Sequence, residues 1–77
     1  MISVCQEVTR EIIDEVFADR KVKKMIRHPE RAKKICERRL AGMLYKDIGE
    51  ELGVSETTCI RCCRDVVRLY RVFVEVV

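Results

Sequence analysis

The stretch Tyr45 to Arg64, Y-K-D-I-G-E-E-L-G-V-S-E-T-T-C-I-R-C-C-R, decides the fold. Ile48 and Leu52 stand four apart and share one helical face. Gly53 follows, where a left-handed residue ends a helix at little steric cost. Val54 is apolar and fills the corner. Ser55 is a favourable N-cap, and Glu56 places an acid in the first turn of a second helix. Cys59, Cys62 and Val66 continue an apolar stripe at spacings of three and four. The stretch therefore predicts a helix, a three-residue turn and a second helix.

Two short helices joined by a tight glycine-containing turn form a helix-turn-helix, whose second helix enters the DNA major groove. I-G-E-E-L-G-V-S-E-T-T-C resembles this unit in bacterial and archaeal transcription regulators. With L-A-G-M-L-Y-K-D in front, it is most similar to the promoter-reading region of sigma factors and similar small regulators. The likeness runs from about Arg39 to Leu69. Three positions depart from the pattern. Leu44 stands where a Ser or Thr cap is usual, Gly49 replaces an alanine at the close helix contact, and Cys59 and Cys62 replace aliphatics.

Working outward, Pro29 opens a preceding helix, where proline is well tolerated. Its inner face is Ala32, Ile35, Cys36, Leu40 and Met43, and Gly42 stops it. His28 precedes the proline and is pushed out of helical geometry. Arg20 to His28, with Val22, Met25 and Ile26 at helical spacing, either extends the first helix or forms a short one. Ser3 to Asp19 reads as that first helix, with a Ser3/Gln6 capping box and a stripe of Cys5, Val8, Ile12 and Val16, widened by Ile13 and Phe17. On the other side, wound at about 100° per residue, Cys59, Cys62, Cys63, Val66, Tyr70 and Phe73 share one side and Arg61, Arg64, Arg68 and Arg71 the opposite one. One long helix to about Glu75 is expected, in preference to a β-branched terminal strand.

The 77 residues make one domain, divided as 1–28 (helical, basic at its end), 29–69 (the helix-turn-helix core) and 70–77 (an apolar tail). With 48% hydrophobic and 38% charged residues, such a short chain carries more apolar groups than a monomer readily hides. Charge is uneven. Residues 1–19 hold one base against five acids, whereas 20–39 hold ten bases against Glu30 and Glu37. That block suits phosphates. Scarce aromatics argue against single-strand stacking platforms. Met1 leads into an amphipathic, acid-bearing segment, and no apolar run approaches membrane-spanning length, so an intracellular (cytoplasmic) protein without a membrane partner is expected.

Catalysis has no constellation to carry it: no Ser/His/Asp set, no phosphate loop and a single histidine, so the chain is read as a non-enzyme. Cys59-x-x-Cys62-Cys63 could bind zinc or act in redox. No second ligand pair stands at the right spacing, and free cysteine buries readily, so core packing without cofactor or metal is the preferred reading.

The expected fold is all-α: a small bundle of about four helices with one helix-turn-helix and a long C-terminal reading helix. The resemblance implies sequence-specific binding of double-stranded DNA by a transcription regulator. Glu56, Thr57, Thr58 and Arg61 are the expected base contacts. Lys46, Ser55, Arg64, Arg68, Arg31, Lys34 and Arg38 are the expected phosphate contacts. Leu69, Tyr70, Phe73, Val74, Val76 and Val77 are expected to form a homodimer interface. The alternatives are a protein-interaction module of the transcription machinery, sigma-like or like the cyclin-like repeats of archaeal transcription factor B, and a thiol redox or metal protein.

Overall fold

In the computed structural model, which describes residues 8–75, the chain is a small all-α bundle. Its helices are α1 (Arg10–Ala18), α2 (Arg20–Lys24), α3 (Pro29–Leu40), α4 (Tyr45–Leu52) and α5 (Glu56–Leu69), and a π-helical turn over Tyr70–Val74 continues α5.

Each boundary has a local cause. Thr9, in extended geometry, caps α1 by accepting from the Ile12 N–H at 3.2 Å. The expected helix from Ser3 to Asp19 is thus interrupted at Val8 and Thr9, and α1 runs from Arg10; Ser3, Cys5 and Gln6 lie outside the described residues. Ile13 and Val16 are fully buried, with Ile12 and Phe17 partly buried beside them. Asp19 then breaks the chain and caps α2, accepting from the N–H groups of Lys21 (2.9 Å) and Val22 (3.2 Å). A short separate helix is the result. Pro29 opens α3. Gly42, at φ +101°, closes α3 with its own N–H on Arg39 O and the Met43 N–H on Arg38 O. The chain turns there, so Met43 packs against the core while Leu40, expected inside, remains 37% exposed.

The core joins Val8, Ile13 and Val16 to Val22, Ala32, Ile35 and Cys36, to Ile48 on α4, and to Cys59, Cys63, Val66 and Val67 on α5. Cys63 takes the central place expected for Cys62, which is half-buried at the edge of the stripe. The helix continues to Val74 without a strand, but widened: the Glu75 N–H reaches Tyr70 O at 2.7 Å. Tyr70 and Val74 thereby fold back and pack on the core, near α1, whereas Val72 and Phe73 stay half exposed.

Candidate nucleic-acid interface

Three residues, Gly53 to Ser55, connect α4 to α5. Gly53 is left-handed, at φ +75°, and the Val54 N–H donates to Gly49 O at 2.9 Å. Gly49 is buried, and a Cβ there would stand 2.6 Å from Val54 O. Glycine is therefore required by the closeness of this turn to α4, and the alanine usual in the resembled pattern has no room. Ser55 caps α5: its Oγ accepts from the Thr58 N–H at 3.1 Å and lies 2.8 Å from Thr58 Oγ1.

The expected base contacts divide. Glu56, Thr57 and Arg61 are exposed on the first two turns of α5. Thr58 is half-buried, with its hydroxyl engaged by Ser55, because it serves the cap. Ser55 likewise spends its Oγ on that cap. Beyond them Arg61, Arg64, Arg68 and Arg71 run along one exposed side of α5 and line a shallow hollow. Arg71 belongs to this row, and its i, i+3, i+7, i+10 spacing from Arg61 was the signal for it.

The basic block is less uniform than its composition suggests. Lys34 and Lys46 are exposed. Arg38 is committed to α4: its Nε and Nη2 lie 2.8 and 2.7 Å from Glu51 Oε2. This side-chain hydrogen bond holds the Glu51 carboxyl below its ordinary value and the guanidinium above its own. Arg39 stacks over the Tyr45 ring at 4.4 Å. Arg31 leans into a cleft of about 580 Å³ between residues 25–32 and α5, which Arg27, Arg61 and Arg68 also border. Its Nε is buried without a hydrogen-bond partner among the described residues. Sequence reasoning placed Arg31 on phosphate; nothing in the sequence signalled that its stem would sink against α5.

The dimer residues are also redistributed. Leu69, Tyr70 and Val74 pack against the chain's own core, Phe73 is 52% exposed, and Val76 and Val77 lie outside the described residues.

The thiols are buried chemistry. Cys36 is driven far above the ordinary thiol value by its hydrogen bond with Cys63 and by burial. Burial also raises Cys59 and Cys62, partly opposed by the Arg31 charge. Such groups keep their protons at neutral pH in this arrangement. Among the described residues no group of three or more His, Cys, Asp or Glu is placed to hold a metal, and no helix is long and apolar enough to cross a membrane.

Compared with known protein families, curated proteins and solved structures, the chain matches none.

Proposed function

We propose that the chain binds double-stranded DNA sequence-specifically as a transcription regulator, with α4 and α5 acting as a helix-turn-helix and α5 as its reading helix. The observation that carries this is the outward display of Glu56, Thr57 and Arg61 at the start of a helix whose Ser55 cap and Gly49 contact fix its direction. Arginine suits guanine and glutamate suits cytosine. Arg64, Arg68 and Arg71, with Lys34 and Lys46, would lie against phosphates. Two copies on a palindrome would meet through the tail, where Val72 and Phe73 are the exposed apolar side chains among the described residues, and sedimentation showing a monomer at high micromolar concentration removes the dimer.

Selection from random duplex DNA, followed by anisotropy at several salt concentrations, tests the reading. Arg61→Ala should cost about 1–3 kcal/mol on the selected site and relax one base pair. Lys34→Ala should weaken all sequences alike and flatten the salt slope by about one unit. Absence of salt-dependent duplex binding sinks the proposal. A protein-interaction module of the transcription machinery is favoured by a different observation, the exposed Leu40 and Leu44 at the α3–α4 corner. Polymerase or factor binding without DNA, lost in Leu44→Asp, is its signature.

A further inference from the structure

We infer that the cleft between residues 25–32 and α5 is a binding site for an amphipathic organic monoanion, a carboxylate borne on a short apolar body. Its volume, about 580 Å³, falls in the range of small-molecule sites. Its walls combine two chemistries. Met25 and Phe73, each 52% exposed, line it together with Leu69, an apolar lining that the described residues leave open. Arg31 lines the cleft with a guanidinium that makes no ion pair among the described residues. A carboxylate offers two oxygens at the spacing of a guanidinium fork. Arg61 and Arg68 stand at the same cleft, and neither makes an ion pair among the described residues. Asp65 is also on the wall and offsets one of the four guanidiniums, and the apolar share of the lining suits a ligand with one charged head on an apolar body.

Binding itself does not depend on the DNA reading. One consequence does: an anion neutralising the cleft beside Arg61 and Arg68 would oppose phosphate contact, making this a site through which a small acid weakens DNA binding.

The test is a titration of the full chain with octanoate, followed by backbone amide shifts and calorimetry, with octanol and acetate as probes of each half. Saturable octanoate binding is expected, with shifts centred on Arg31, Leu69 and Phe73, and with octanol and acetate each weaker by about tenfold or more. Arg31→Met should lower octanoate affinity by about tenfold while leaving octanol unchanged. Met25→Glu, at an exposed position, should also weaken octanoate and keeps the test open if Arg31→Met does not fold. Octanol binding as well as octanoate, acetate binding as well as octanoate, no saturation, or affinity unchanged in Met25→Glu overturns the proposal. So does octanoate affinity that falls as the protein self-associates, since the cleft would then belong to a second copy. The titration contains no DNA, so its failure is separate from failure of DNA binding.

Discussion

The two corners of the chain, α3 to α4 and α4 to α5, close in the same way and are held in different ways. Each uses a left-handed glycine, Gly42 or Gly53, and each adds a backbone bond from the following residue back to the last turn, Met43 to Arg38 at 3.1 Å and Val54 to Gly49 at 2.9 Å. The second corner then starts its helix with a capping serine and presses its backbone onto Gly49. The first starts α4 with Leu44, which offers no cap and is 62% exposed. It is braced by side chains, Arg38 on Glu51 and Arg39 over Tyr45. The backbone and neutral contacts of the second corner are insensitive to salt and pH, whereas the Arg38–Glu51 brace of the first weakens with both salt and acid. The proposed reading helix hangs from the second corner.

The largest expected effect is at the point of closest approach. Gly49→Ala gains helix propensity of about 1 kcal/mol, yet its Cβ meets a backbone carbonyl that no rotamer can move aside. We expect a net loss of about 2 kcal/mol by denaturant titration. An unchanged midpoint would falsify the view that this turn is sterically locked.

Next are the glycines of the two corners. A Cβ at Gly42 or Gly53 meets nothing within 4 Å, so each change to alanine isolates backbone strain. About 1–2 kcal/mol is expected for each. If the corners matter differently for function, Gly53→Ala should also weaken binding to the selected DNA site, and Gly42→Ala should not. Equal loss of binding, corrected for the unfolded fraction, removes the distinction. Ser55→Ala follows at about 1 kcal/mol, lost with the bond from the Thr58 N–H. Chemical denaturation and amide exchange at Thr58 report it together.

Much of this was legible in the sequence because caps and stops are local chemistry. Gly42, Gly53, Ser55 and Pro29 sit where their side chains, or lack of them, dictated. The cap at Thr9 is less legible: a Thr within an apolar-periodic stretch looks like helix interior, and the burial of Val8 just before it depends on packing rather than on local chemistry. Cys63 displaced Cys62 because helical spacing of three or four admits both, and the neighbours α3 and α4 select the buried one. The tail was read as surplus apolar area. Tyr70 follows the α-helical period, but the π-helical widening, by which Val74 packs on the core and Phe73 does not, leaves no mark in residue type. Of the interface, the exposed Glu56, Thr57 and Arg61 followed from periodicity. The capture of Arg38 by Glu51 did not, since it joins residues thirteen apart across a corner.

Leu44→Ser supplies the first corner with what the second already has. The backbone at Leu44 is extended, at φ −75° and ψ 148°, nearly that of Ser55 at −75° and 157°. A serine hydroxyl there can accept from the N–H of Asp47 without rearrangement. A stabilisation of about 0.5–1 kcal/mol is expected, read as a raised denaturation midpoint with unchanged slope. A neutral or destabilising result would mean that Leu44 packs against something on the surface.

The smallest effect should belong to the Arg38–Glu51 pair, and its sign is fixed by the direction of the shift. The hydrogen bond from Arg38 holds the Glu51 carboxyl below its ordinary value near 4.5. Between the native and ordinary values the unfolded chain binds more protons, so the pair's contribution is present above pH 4.5 and is lost as pH falls through the native value. Glu51 is exposed and Arg38 partly so, so water and salt screen the pair and the effect is slight. Comparing the native chain with Glu51→Gln, the native should be the more stable at neutral pH and low salt. The gap should narrow below pH 4.5 and close at about 1 M salt, where the screening length is about 3 Å. Ser55→Ala, measured in parallel, should show no such dependence on either variable. A salt-independent gap for Glu51→Gln would show that the first corner, like the second, is held by packing rather than by charge.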